Sequence, residues 1–230
     1  MLGTLSIVAT PIGNLGDITL RALETLKTAD LVLCEDTRVS GKLLAHYGIH
    51  TSTMSYHQHS AEAKVREIAE LLKQGKNLAL VTDAGTPGIS DPGNLLIGQL
   101  TTDFGLRTSD FGQLTVTPVP GASAVISALS ISGFPTDKFI FLGFPPHKNK
   151  RKKFFQEVAG AEHAVAFYES NHRIKKCLSE LDAVLTPDRQ LCVCRELTKK
   201  FESVYRGNII DLVRMNIPEK GEFVVIVKAI

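Results

Sequence analysis

The sequence lacks the features that mark several specialised classes of protein. No apolar run is long enough to span a membrane, and the first residues lack the basic segment and apolar core of a secretory signal. We therefore expect a cytoplasmic protein that does not enter a membrane. The net charge is only +2 over 230 residues, so any contact with nucleic acid must come from a local basic patch.

The few cysteines form no recognisable metal or redox motif. Cys34, Cys177, Cys192 and Cys194 contain no CxxC pair, and no histidine stands near them at zinc-ligand spacing. Cys192 and Cys194 lie two residues apart in an apolar stretch, so on a strand they would share one face, which is typical of buried thiols. We expect core or surface thiols and no metal site.

Two common nucleotide-binding motifs are absent. The sequence contains neither the dinucleotide fingerprint GxGxxG nor a P-loop ending in Gly-Lys-Ser/Thr. The absence of the fingerprint disfavours a nucleotide-binding oxidoreductase.

What the sequence does contain is an alternation of apolar strands and amphipathic helices. Residues 5–9, 31–34 and 78–82 have the composition of strands, and segments with helical spacing separate them. This order is typical of a parallel α/β sheet, and the second half of the chain continues the alternation. We predict an α/β fold with two α/β domains, residues 1–115 and 116–230.

The residues that follow the strand at 78–82 are the clearest candidate for a binding loop. Positions 83–93 hold three glycines, two prolines and two aspartates, a composition that leaves main-chain groups open to a ligand. These eleven residues exceed the usual strand-to-helix connection. They also follow the carboxyl end of a strand, where open α/β sheets bind ligands. A turn without a ligand is the alternative, and we favour the binding loop.

A cluster of cations follows two prolines in the second half. Residues 147–153 (HKNKRKK) contain five lysines and arginines at the predicted start of a helix. Cations at a helix N-terminus oppose the helix dipole, so we favour an RNA backbone as their partner over a solvated helix start. The cations of this run are Lys148, Lys150, Arg151, Lys152 and Lys153. Four other cations follow predicted strands and could bind RNA phosphates. Exposure to solvent or an ion pair with a neighbouring glutamate explains each of them equally well. They are Arg38, Arg173, Arg195 and Lys199.

Eight motifs occur in order along nearly the whole chain: TPIGNLGDITLRA, EDTR, SYH, DAGTPGISDPG, PGAS, YESNHR, RELTKKFE and GEFVVIV. Together they resemble the ribosomal RNA small subunit methyltransferase I family of the tetrapyrrole methylase superfamily. The resemblance implies two α/β domains with a cleft between them, S-adenosylmethionine (SAM) bound in that cleft, and a homodimer. It also implies 2′-O-methylation of a cytidine ribose in the decoding centre of 16S rRNA, free or in the small ribosomal subunit.

The sequence departs from this family pattern at two places. The link at residues 103–113 is longer than the one that the family usually has between this helix and the next strand. Gly85-Thr86-Pro87 stands where many relatives carry Gly-Asp-Pro, so the acidic contact to SAM would come from Asp83 or Asp91.

The resemblance also implies which residues contact SAM. They are Pro11, Ile12, Gly13, Gly85, Thr86, Pro87, Ile89, Ser123, Ala124, Tyr168 and Leu197. A ribose hydroxyl is a poor nucleophile and needs a base or hydrogen-bond acceptor within reach. The candidates by position are Glu35, Asp36, His57, Glu169, His172 and Glu196, of which we select Glu169 and His57. Helix capping explains Glu35, Asp36 and Glu169 equally well.

Three other functions stay open from the sequence. The first is a SAM-dependent methyltransferase of the same fold that acts on a tetrapyrrole-like small molecule, and the basic run speaks against it. The second is the oxidoreductase already disfavoured by the missing fingerprint. The third is a non-catalytic RNA-binding module, which would not need a cleft lined by glycine loops.

Overall fold

The computed structural model describes residues 2–57, 62–91, 93–102 and 114–230. The chain divides into two compact units, Met1–Ser123 and Ala124–Ile230. The division falls later than the predicted border at 115/116, because the strand at 115–119 pairs along its whole length with the first strand of the chain. The predicted excursion at 103–113 lies outside the described residues.

The first unit contains a five-stranded sheet in which every neighbouring pair is parallel. Its strands are β1 (Thr4–Val8), β2 (Leu31–Cys34), β3 (Thr53–Ser55), β4 (Leu78–Leu80) and β5 (Thr115–Val119). Its helices are α1 (Leu20–Thr28), α2 (Thr37–His46), α3 (Glu62–Lys73) and α4 (Gly93–Thr102). The strand order β3-β2-β4-β1-β5 confirms the predicted parallel α/β architecture.

Helices cover both faces of this sheet, which is why β2 and β4 are apolar along their length. Leu26 of α1 and Leu44 of α2 pack with Val8 on one face. Ile68 of α3 and Leu96 of α4 pack with the opposite face. α2 begins directly after Asp36, because the Asp36 carboxylate accepts a hydrogen bond from Arg38 N and caps the helix there.

The second unit contains a mixed sheet of order β6-β7-β10-β8-β9, in which only β6 and β7 are parallel. Its strands are β6 (Phe139–Phe141), β7 (Ala164–Glu169), β8 (Gln190–Arg195), β9 (Ser203–Asn208) and β10 (Phe223–Val227). Its helices are α5 (Ala124–Ser132), α6 (Arg151–Ala159), α7 (Ile174–Asp182) and α8 (Ile209–Arg214). The core of this unit joins α6, α7 and α8 to one face of the sheet.

The four cysteines are all free and buried. Cys192 and Cys194 share one face of β8, as their spacing predicts, with their Sγ atoms 3.7 Å apart. Within the residues that the structure describes, no helix combines the length and the apolar character that crossing a bilayer requires.

Candidate functional site

The centre of the first sheet is a topological switch point. β1 and β4 are neighbours, but the chain leaves β1 through α1 toward β2 and leaves β4 through α4 toward β5, on the other side. α1 and α4 pack on opposite faces of the sheet. The two connections therefore diverge at the carboxyl ends of the strands, which is where open α/β sheets form their ligand crevice.

Backbone hydrogen bonds join the two diverging loops. Thr10 N donates to Gly85 O at 2.9 Å, and Gly85 N donates to Thr10 O at 3.1 Å. The hydroxyl of Thr10, a buried residue, donates to Thr82 O at 3.1 Å. The loop after β1 and the loop after β4 are thus held side by side.

A third loop, the one after β5, lies against the same pair. Thr86 Oγ1 donates to Ala122 O at 3.0 Å, and a Cβ added to Gly121 would lie 2.9 Å from Ala9 Cβ. Gly85 has a φ of 85°, and a Cβ there would lie 3.4 Å from Ile12 Cγ2 and 3.7 Å from Ala122 O. Glycine therefore allows both the left-handed turn and the close approach of the three loops.

The long loop after β4 is braced by its own side chains. Asp91 Oδ1 accepts hydrogen bonds from Gly88 N at 2.5 Å and from Gly93 N at 3.0 Å. Asn94 Nδ2 donates to Gly88 O at 2.8 Å. Asp91 therefore stabilises the loop with the same carboxylate that is one of the two candidates for the acidic contact to SAM. The other candidate, Asp83, accepts a hydrogen bond from Asp36 N at 3.2 Å.

An acidic groove with one histidine opens beside this loop at the end of β2. It is lined by Glu35, Asp36, Thr37, Arg38, Ser55, His57 and Asp83. Arg38 does not neutralise the whole groove, because its guanidinium is bound to Asp36 at 2.6 Å. This contact lowers the pKa of Asp36 to about 2.

Glu35 connects the groove to the loop after β4. It also lines a small cavity with Thr82, Pro87, Asp91 and Gly93, and its Oε2 accepts a long hydrogen bond of 3.5 Å from Thr82 Oγ1. Burial, followed by the charges of Asp83 and Asp91, raises the pKa of Glu35. A carboxyl group with a raised pKa at a ligand crevice suits proton transfer. The sequence names Glu35 as a candidate but does not select it.

Two assignments made from the sequence are corrected in the second unit. Glu169 is 1% exposed, so it is closed to a substrate hydroxyl, and Arg151 is 5% exposed, so it is not an RNA contact. Arg151 Nη2 lies 3.0 Å from Glu169 Oε2, and Arg151 Nε lies 2.8 Å from Glu180 Oε2. The reason is helical spacing: Arg151 lies on the face of α6 that also buries Phe155 and Val158.

The remaining predicted RNA contacts differ in whether their side chains already bind other groups of the protein. Arg195 donates to Lys220 O at 2.8 and 2.6 Å, and Lys199 is paired with Glu196 and Glu222. Arg173 Nη2 lies 2.5 Å from His147 Nδ1. Arg38 keeps an exposed side chain beside Asp36. Lys148, Lys150, Lys152 and Lys153 are exposed.

The predicted SAM contacts of the second unit lie at the ends of strands. Tyr168, near the end of β7, packs its ring on Phe141 and Phe144. Leu197 is buried after β8, between Glu196 and Thr198, which have φ values of 52° and 64°. Left-handed backbone at residues other than glycine carries strain and is concentrated at functional sites. No group of three or more His, Cys, Asp and Glu side chains in the described ranges is placed to hold a metal ion.

A family model described as tetrapyrrole (corrin/porphyrin) methylases matches residues 4–213. The chain belongs to this family. It is 45% identical to a Synechocystis protein named ribosomal RNA small subunit methyltransferase I, over 98% of this chain and 79% of that protein. Proteins of the same name from Haemophilus influenzae and Bacillus subtilis are 46% and 42% identical, over 99% of this chain and 79% and 75% of their own length.

Solved structures of tetrapyrrole methylases share the fold. A uroporphyrin-III-C-methyltransferase from Thermus thermophilus superposes with a TM-score of 0.65 at 18% identity, over 98% of this chain and 94% of that one. A cobalt precorrin-4 methyltransferase gives a TM-score of 0.66 at 19% identity, over 98% and 94%. These likenesses confirm the predicted fold class. Together with the family match, the named relatives identify the chain as a methyltransferase that uses a methyl donor.

Proposed function

We propose that this chain transfers a methyl group from SAM to the 2′-hydroxyl of a cytidine ribose in the decoding centre of 16S rRNA. The observation that carries the proposal is 41–46% identity, over nearly the whole chain, to proteins named ribosomal RNA small subunit methyltransferase I. An rRNA substrate implies a cytoplasmic protein. The homodimer implied by the family resemblance stays a prediction.

The donor site that we propose in the first unit is built mainly of backbone. SAM carries its methyl group on a sulfonium, so transfer is an in-line displacement that depends on alignment. The joined loops after β1, β4 and β5 provide a rigid rim, and a side chain at Gly85 would narrow it. The residues that would hold SAM there are Pro11, Ile12, Gly13, Gly85, Thr86, Pro87, Ile89 and Ser123. Ala124, Tyr168 and Leu197 of the second unit stay predicted contacts.

Glu35 and His57 would handle the ribose hydroxyl. Both line the groove at the end of β2, and Glu35 also reaches the cavity beside Pro87. A carboxylate there can accept the hydroxyl proton as the oxygen attacks, and the raised pKa brings Glu35 closer to the pH at which proton acceptors work best. Glu35→Gln should therefore lower kcat strongly and leave the affinity for SAM unchanged.

The four exposed lysines at 148, 150, 152 and 153 would bind RNA phosphates. Each phosphate neutralised contributes roughly 0.7 to 0.9 to the slope of log affinity against log salt. Replacing all four with Ala should flatten that slope by about 3 without changing SAM affinity. An unchanged slope would remove these lysines from the interface.

The direct test of the function is methyl transfer from labelled SAM to three acceptors in parallel. These are free 16S rRNA, assembled small ribosomal subunits and a reduced uroporphyrin-type tetrapyrrole. We expect label in one or both of the RNA-containing acceptors and, after digestion, in a 2′-O-methylated cytidine. Label only in the tetrapyrrole would replace the proposal with the small-molecule alternative, and label on a base rather than a ribose would contradict the assigned atom.

A further inference from the structure

An exposed phenylalanine stands between the edge of the second sheet and the basic segment. Phe144 follows β6 by three residues, and 54% of its surface is exposed. Pro145 and Pro146 come next, and the lysines at 148, 150, 152 and 153 follow. An exposed ring and a run of exposed lysines are therefore neighbours along the chain.

The sheet holds the chain in place on the near side of Phe144. Leu142 N donates to Ala166 O at 3.0 Å, and Tyr168 N donates to Gly143 O at 2.8 Å, so the pairing with β7 continues past β6. Gly143 then turns the chain with a φ of 65°. The ring of Phe144 packs against Tyr168 with centroids 5.3 Å apart and planes inclined by 59°. The ring is therefore positioned before any ligand arrives.

A buried ion pair fixes the residues that follow Phe144 in the chain. Arg151 Nη1 donates to Pro146 O at 3.3 Å, and Glu169 and Glu180 fix the same guanidinium. The segment from Gly143 to Arg151 is thus tied to the body of the second unit at both ends. It presents the ring together with Lys148 and Lys150, and Lys152 and Lys153 follow in the first turn of α6.

None of the four lysines has a carboxylate of a described residue within 4.0 Å of its ammonium group. Lys150 precedes α6 with a left-handed φ of 67°, makes no side-chain cap, and the first turn of the helix contains no acidic residue. Cations at this end of a helix are unfavourable unless an anion lies against them.

We propose that Phe144 is a stacking platform for an unpaired RNA base whose neighbouring phosphates lie on Lys148, Lys150, Lys152 and Lys153. The inference rests on the proposed function and adds to it that the segment bound here is single-stranded. Four residues span at most about 14 Å, so the ring and the first lysine lie within reach of neighbouring nucleotides. The unpartnered positive charge beside the ring favours a nucleic acid over an apolar protein partner. In a duplex the base faces are stacked on one another, so only a single strand offers a face to Phe144.

The test is the affinity of the full-length protein for a labelled, unstructured RNA oligonucleotide and for the same sequence in a duplex, measured by fluorescence anisotropy. Phe144→Ala should weaken single-strand binding roughly 5- to 150-fold, the range for stacking one base on an aromatic ring. It should leave duplex binding and the salt slope unchanged, because the lost contact carries no charge. Phe144→Tyr keeps a ring and should bind like the wild type.

Phe201→Ala is the matched control, because this ring is also exposed, at 67%, but Lys200 Nζ lies over it at 5.7 Å. It should not change single-strand affinity. Equal losses from Phe144→Ala and Phe201→Ala, or an equal loss on single strand and duplex, would overturn the platform. Unchanged single-strand affinity, or a loss confined to SAM affinity, would overturn it too. If the wild type bound neither RNA form, this inference would fail, and the methyl-transfer assay on 16S rRNA and small subunits would decide separately whether the proposed function fails as well.

Discussion

Replacing Glu169 separates the structural role that its burial indicates from the catalytic role that its position in the sequence suggests. Glu169→Gln removes the charge that faces Arg151 and keeps an oxygen that can accept the hydrogen bond from Ser170 N, which measures 2.7 Å. Glu169→Ala removes both. In either variant Arg151 stays buried beside Phe155, with its Cζ 5.0 Å from the ring centroid.

The expected loss of unfolding free energy depends on the ion-pair partner that Arg151 retains. Removing one partner of a buried ion pair costs about 3–5 kcal/mol, because the other charge is left uncompensated. Arg151 retains Glu180, whose side chain is 30% exposed, so the lower end applies. We expect Glu169→Ala to lower the free energy of unfolding by about 3 kcal/mol. Glu169→Gln should lower it by about 1.5 kcal/mol, the lower end for a hydrogen bond to a charged group.

Urea unfolding followed by far-UV circular dichroism measures these changes, since the chain has no tryptophan to report by fluorescence. Glu157, an exposed glutamate on α6, gives the control Glu157→Gln, which should stay within about 0.5 kcal/mol of the wild type. In Arg151→Met/Glu169→Leu no buried charge of the pair remains, so this variant should recover much of the loss. Unchanged unfolding of Glu169→Gln together with lost methyl transfer would refute the structural account and restore Glu169 as a residue that acts on substrate.

Three further perturbations test the first unit. Gly85→Ala places a side chain at a φ of 85°, so it should destabilise the protein by about 1–2 kcal/mol and lower SAM affinity in calorimetry. Asp91→Ala leaves Gly88 N and Gly93 N without their shared acceptor and should cost about 1–2 kcal/mol in urea unfolding. Glu35→Gln tests the raised pKa: because the fold disfavours the charged form, the wild type should lose stability relative to the variant as pH rises through that pKa. The two should converge below about pH 4, where the carboxyl is protonated in the folded and the unfolded state. A constant difference across this range would contradict the raised pKa.

The parts of the fold that the sequence predicts are those with strong local signals. The apolar runs that form β2 and β4 are buried along nearly their whole length, so composition alone marks them. β3 and β9 escape prediction because β3 has three residues and β9 (SVYRGN) is partly exposed and contains glycine. Their pairing with β2 and β8 is what makes them strands.

The sequence likewise predicts only part of the candidate site. Glycine and proline mark the loop after β4 in the sequence, but only the structure shows that Thr10 and Thr86 join it to its neighbours. The cation run looks uniform in sequence, yet helical phase sends Arg151 inward and leaves the four lysines exposed. Predicting that Arg151 is buried requires its helical spacing to Phe154, Phe155 and Val158, which form one apolar stripe. A search for charge alone overlooks this stripe.

Hydrogen–deuterium exchange with and without saturating SAM tests most directly whether backbone at the switch point holds the donor. We predict that SAM slows exchange of amides in the loops after β1 and β4, at residues 10–13 and 83–91. The basic segment at 147–153 should exchange at the same rate with and without SAM. Unchanged exchange in both loops at a SAM concentration that saturates binding would contradict the account.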